Sequence, residues 1–107
     1  MAVRVVLADD HAIVRQGLCL LLSGAGFEVV GEASNGHEAV RVVREVQPDI
    51  AILDVVMPLL NGLDAAREIQ QACPRTKAIL LTSRHEENQG SSEQRAHLLE
   101  VRGWTRF

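Results

Sequence analysis

The chain has 107 residues, enough for one compact domain, and its composition of 47% hydrophobic but only 3% aromatic residues calls for an aliphatic core. A net charge of −3 argues against nucleic-acid binding by this chain itself, because phosphate contacts need clustered cations. Arg4, Asp9 and Asp10 interrupt the first apolar run, so no secretory signal pattern is present, and no stretch approaches the ~18 apolar residues of a membrane span.

A cytoplasmic protein is therefore expected. Cys19 and Cys73 each fall in a helical pattern. They read as small hydrophobes of a reducing compartment, not as a disulfide or a metal site.

Residues 3–8 form a short apolar run rich in β-branched side chains, the mark of a strand buried on both faces. Asp10 is placed to cap a helix. Ile13, Val14, Gly17, Leu18, Leu21 and Leu22 then recur at helical spacing, and Ser23-Gly24 closes that helix. A second strand is expected over 27–31. After the Asn35-Gly36 turn, Ala39, Val40, Val43 and Val46 make one face of a second helix, stopped by Pro48.

A third strand over 50–53 ends in another carboxylate, Asp54. A loop with Pro58 and Asn61-Gly62 leads to a helix over 63–73, closed by Pro74, and a fourth strand over 78–81 ends in Thr82-Ser83. From Arg84 the character becomes polar. The Ser91 and Gln94 spacing, with Ala96 and Leu99, predicts one more helix over 92–102. The order βαβαβαβ implies an α/β fold, a doubly wound parallel sheet with helices on both faces.

In such sheets ligands bind beyond the carboxyl ends of the strands. Asp9, Asp10, Asp54 and Thr82 all sit at such ends. The first and third strands are neighbours in doubly wound topology, so three carboxylates converge. Isolated, they would repel and raise one another's pKa. A hard divalent cation relieves that, and Mg²⁺, with its oxygen ligands, is the expected cofactor. Capping by Asp10 and a solvated strand end at Asp54 are the plain readings of each residue alone. Together the three point to a metal seat.

The stretches "VLADDH", "DIAILDVVMPLLNG" and "AILLTS" resemble the response-regulator receiver domain, in its NarL/LuxR-type branch. The resemblance covers 3 to about 85: an acidic pair ending strand one, Asp54 ending strand three, Pro58 and Gly62 after it, and Thr82 ending strand four. It implies a flavodoxin-like sheet with strand order 2-1-3-4. It implies that Asp54 is the phosphoacceptor, taking phosphate from a partner sensor histidine kinase. It further implies that Asp9, Asp10, Asp54 and the backbone carbonyl of Val56 hold Mg²⁺, and that Thr82 bonds a phosphoryl oxygen. Gly62 is expected to supply a backbone conformation that other residues resist. His11 fits the branch and has two readings, a contact with the metal's water shell and, favoured over it, a surface or capping histidine.

The match fails after strand four. The family has a lysine at the end of its fifth strand, and here Lys77 is the only lysine. The family's strand-five aromatic switch residue and the branch's DNA-binding domain have no counterpart. The expected organisation is a receiver core over 1–85 and a divergent tail over 86–107, as in a receiver truncated or frame-shifted after strand four. That leaves residues 79–81 on an open sheet edge, a template for pairing with a second copy, with the tail's Trp104 and Phe107 as anchors. The leading reading is a signalling phosphoacceptor, not an enzyme, slowed by the missing lysine. The alternative is an unphosphorylated interaction module that dimerises. A phosphatase of the haloacid-dehalogenase type is disfavoured, because Asp54 is followed by Val55-Val56 rather than its D-x-D pattern.

Overall fold

The computed structural model describes residues 2–86 and 93–100, with side chains up to Leu81. The elements are β1 (Arg4–Ala8), α1 (Ala12–Gly24), β2 (Glu28–Ala33), α2 (Gly36–Val46), β3 (Ile50–Asp54), α3 (Gly62–Ala72), β4 (Lys77–Glu86) and β5 (Glu93–Glu100). They form one sheet in the order β2-β1-β3-β4-β5. The first four strands are parallel, as expected, and β5 is antiparallel to β4.

The register sorts side chains onto two faces. Val6, Ala8, Ala51, Leu53, Ala78 and Leu80 meet Ala39, Val40 and Val43 of α2 and Ala65, Ala66 and Ile69 of α3 in the core. The alanines let helices and sheet approach closely, which an aromatic-poor core requires. On the opposite face Val5 and Leu7 lie level with Ile50 and Ile52 and are buried. Among the described elements only α1 covers that face, over β1 and β2.

Helix α1 is rotated from the expected orientation. Leu18, Cys19 and Leu22 turn to the sheet and are half-buried, while Ile13 (84%), Leu20 (76%) and Leu21 (71%) are exposed. The run Leu18–Leu22 is apolar all round, so periodicity could not choose a face. Arg15, the only charged residue of α1, lies on the side turned to the sheet, where its Nε donates to Glu32 of β2 at 3.0 Å.

The C-terminal part departs further. The helix expected over 92–102 is instead strand β5, paired from Glu93 opposite Glu86 to Glu100 opposite Ile79. An unpaired strand edge offers a row of backbone donors and acceptors, and pairing with it overrides a weak local helical pattern. β4 is consequently not the open edge expected at 79–81, and it runs on past Thr82 to Glu86. Trp104 and Phe107 lie outside the described residues.

Helices α2 and α3 start as their sequences direct. Asn35 and Asn61 are the N-caps, accepting from the N–H of Glu38 and Asp64 at 2.8 Å each. Glu38 reaches back to the Ser34 N–H at 2.7 Å, giving a capping-box arrangement one residue before the cap. Gly36 and Gly62 are required by space: a Cβ would strike the Leu60 backbone at the first and the Asp54 backbone at the second. Gly17, in the middle of α1, has nothing within 4 Å of a Cβ position.

These glycines should therefore behave oppositely in urea unfolding. Gly62→Ala and Gly36→Ala should each cost about 2 kcal/mol or more, as overpacking against fixed backbone does. Gly17→Ala should stabilise by about 0.5–1 kcal/mol, the ordinary helix-interior gain.

Candidate functional site

The site is built from two strand ends and the turns that follow them. Asp9 leaves β1 with its N–H bonded to the Ala33 carbonyl of β2 at 3.0 Å. Its Oδ1 accepts the His11 N–H at 2.8 Å, which turns the chain from strand into helix within two residues. The Asp9 carbonyl accepts from Arg15 Nη1 at 2.6 Å. Asp9 is only 2% exposed. His11, not Asp10, occupies the N-cap of α1, with no side-chain capping bond. Asp10 is thus not the cap expected of it; its carboxylate instead lies 3.0 Å from His11 Nδ1.

Asp54 is the last residue of β3 and 7% exposed. Its Oδ1 accepts the Val56 N–H at 3.2 Å. The following loop is pinned on both sides, Val55 N–H to Leu81 of β4 at 3.1 Å and Gly62 N–H to Val55 at 2.9 Å. Gly62 has no left-handed backbone; it serves by letting α3 start against the Asp54 backbone. The left-handed residue of this loop is Leu59, at φ 70°. Pro58 takes the turn role expected of it, accepting at its carbonyl from the Leu60 N–H at 2.8 Å.

Because β1 and β3 are paired, the two acidic ends meet. Ligand atoms of Asp9, Asp10, His11 and Asp54 all lie within 4.8 Å of one another. Burial raises the pKa of Asp54 above the ordinary carboxylate value, the charges of Asp9 and Asp10 add to the rise, and the Val56 N–H opposes it. The hydrogen bond to Asp9 raises the pKa of His11, and the Asp10 charge adds to that. The imidazole nitrogen is 3.2 Å from Asp9 Oδ1, and its side chain is 69% exposed, so it stands at the mouth of the acidic pocket. Three carboxylate donors facing one point suit a hard divalent cation, so the residues present fit Mg²⁺. Asp9, Asp10 and Asp54 would hold it.

Asp54 is level with Leu81 in the register, so Thr82 lies one step beyond it toward the carboxyl ends; its side chain is outside those described. Val56 is brought to Asp54 through its N–H, and its side chain is exposed. Cys73 is buried in the main core and Cys19 is half-buried on α1, both as free thiols outside the acidic cluster. Of the two readings of His11, the capping one holds only for its backbone, since its side chain makes no capping bond and joins the acidic cluster instead.

The fold is a doubly wound α/β domain with an acidic, cation-suited pocket at the carboxyl ends of β1 and β3. The chain belongs to the response regulator receiver domain family, whose model matches residues 5–98. It is 43% identical over 83 residues to the chemotaxis protein CheY of Thermotoga maritima, covering 78% of this chain and 69% of that one. It is 43% identical over 82 residues to the transcriptional regulatory protein LiaR of Bacillus subtilis, covering 76% of this chain and 39% of LiaR. The chain thus spans well under half of that regulator. The receiver domain of the response regulator NarL from Mycobacterium tuberculosis superposes with a TM-score of 0.74 at 34% identity, covering 80% of this chain and 70% of that chain. The corresponding domain of Thermotoga maritima CheB gives 0.74 at 35% identity, covering 82% and 66%.

The raised Asp54 pKa has a stability consequence in the metal-free protein. Below the unfolded-state carboxylate pKa both states are protonated there and no penalty exists. As pH rises through the ordinary range the unfolded chain ionises first, so stability falls until the folded pKa is passed. In EDTA, Asp54→Asn should therefore raise Tm at pH 7, and the gain should shrink at pH 3. A gain unchanged with pH would deny the charge origin.

Proposed function

We propose that this chain is a Mg²⁺-dependent phosphoacceptor of a two-component pathway, with Asp54 as the acceptor and a sensor histidine kinase as the donor. The observation that carries this reading is a nearly buried Asp54 facing Asp9 and Asp10 from the neighbouring strand. In the transfer, an ionised Asp54 oxygen forms a bond to phosphorus as the phosphorus–nitrogen bond of phosphohistidine breaks, and the histidine nitrogen leaves with the electron pair. Mg²⁺ supplies charge neutralisation when bound, held by Asp9, Asp10, Asp54 and the Val56 carbonyl. Thr82 donates its hydroxyl to a phosphoryl oxygen. The domain assists its own phosphorylation and dephosphorylation and is otherwise no enzyme; a receiver core over 1–85, a divergent tail over 86–107 and a cytoplasmic location belong to the same proposal. Among the described residues no helix is long and apolar enough to cross a membrane.

The sequence has no lysine other than Lys77, which lies at the start of β4, the end of the strand opposite to Asp54. A cation at the developing phosphoryl charge can contribute a few kcal/mol to such a transition state, roughly 10²–10³ in rate. Incubation with Mg²⁺ and acetyl phosphate, read by intact mass, should add one phosphate slowly, and Asp54→Ala should abolish it. A phosphate that persists in Asp54→Ala refutes the acceptor, and labelling as fast as Thermotoga CheY refutes the handicap.

The second reading, a self-associating interaction module, is supported by α1. Its exposed side carries Ile13, Leu20 and Leu21 without a charged residue, and Ile50, Ile52 and Ile79 on the same sheet face are only half-buried. An uncharged apolar face is self-complementary, since a second copy brings no like-charge repulsion and no desolvated charge. One helix face is smaller than the ~800 Å² per partner of a standard interface, so the dimer should be weak. Light scattering up to about 1 mM should show association that Leu20→Lys removes, in line with a micromolar-to-millimolar contact. A monomer throughout that range eliminates this reading.

A further inference from the structure

We infer that His11 makes the acidic pocket selective for a borderline divalent transition ion, of the Co²⁺, Ni²⁺ or Zn²⁺ class, with imidazole Nδ1 as a nitrogen ligand beside the carboxylates of Asp9, Asp10 and Asp54. This rests on the reading of that pocket as the metal seat and adds the residue that decides which metal it takes.

The geometry is specific. His11 Nδ1 lies 3.2 Å from Asp9 Oδ1 and 3.0 Å from Asp10 Oδ1, and it belongs to the same 4.8 Å cluster of donor atoms as Asp54. The nitrogen that faces two carboxylate oxygens faces a cation placed among those oxygens equally well. The ring nitrogen lies against both carboxylates, and the backbone N–H of His11 is itself bonded to Asp9 Oδ1 at 2.8 Å. The imidazole is exposed, so its ring can turn toward a cation held among the carboxylates.

The chemistry then discriminates. Mg²⁺ takes oxygen ligands and dehydrates reluctantly, so an imidazole gives it little. Imidazole suits Co²⁺, Ni²⁺ and Zn²⁺, whose affinity for mixed nitrogen and oxygen sites stands above that of the earlier divalent ions. An acidic pocket of oxygens alone would lack this added preference. A transition ion bound here engages the Asp54 carboxylate directly, and so competes with Mg²⁺ for the pocket.

The test uses the full chain and Co²⁺ and Mg²⁺ as the only added ions. Calorimetric titration should give Co²⁺ an affinity about tenfold or more above that of Mg²⁺, and His11→Gln should lose about tenfold for Co²⁺ while leaving Mg²⁺ within about twofold. The visible absorption of bound Co²⁺ should change in His11→Gln, as loss of a nitrogen ligand demands. His37→Gln, a variant of an exposed histidine on α2, should change neither ion and so controls for adventitious binding. Co²⁺ binding indifferent to His11→Gln overturns the inference, as does an equal loss for both ions, which would mean a structural role. Asp54→Asn should weaken both ions. If it weakens neither, the metal-seat reading itself has failed, and the inference falls with it.

Discussion

The parallel pairing of β1 with β3 is the constraint on which the site depends. Ala8 lies opposite Leu53, so the residues just beyond are brought side by side at the same end of the sheet. Those residues are Asp9, Asp10 and Asp54. Two of the three are nearly buried, where like charges interact more strongly than in water. The backbone offsets part of the cost. Asp9 takes the His11 N–H and Asp54 takes the Val56 N–H, each two residues on, so each carboxylate shapes the turn that follows its own strand. The rest of the charge is left for a cation or for His11.

The loop after Asp54 is held with equal care. Gly62 and Gly36 are both places where a Cβ has no room, and both concern the same segment: α3 starts on the Asp54 backbone and α2 starts on the Leu60 backbone. Two helix starts therefore lock the loop from either side. The face carrying α2 and α3 is closely packed through alanines, whereas the α1 face is only partly covered among the described elements. The closely packed side supports the carboxylates.

His11 links these two themes. It ends the turn from β1, opens α1, and puts its ring nitrogen between Asp9 and Asp10 at the pocket mouth. With Lys77 at the far end of β4, no lysine among the described residues stands beside Asp54. The imidazole lies within the cluster of donor atoms alongside its three acids, and the Arg15 guanidinium binds the Asp9 carbonyl beside it.

Much of this was legible in the chain alone. The β-branched runs, the Asn35 and Asn61 caps and the strand-terminal carboxylates determined four parallel strands and an acidic pocket, because burial on both faces and ligand placement at strand ends leave residue-type signals. Three features required tertiary structure. The face that α1 buries was decided by its packing on the sheet, since its leucine run is apolar on every side and leaves no periodic signal. The role of Gly62 came from contact with the Asp54 backbone, and no local pattern reveals a contact across a loop. The segment 93–100 carried a helical spacing, yet it pairs as a strand with β4, because backbone groups at a sheet edge are satisfied by whatever chain the fold brings beside them.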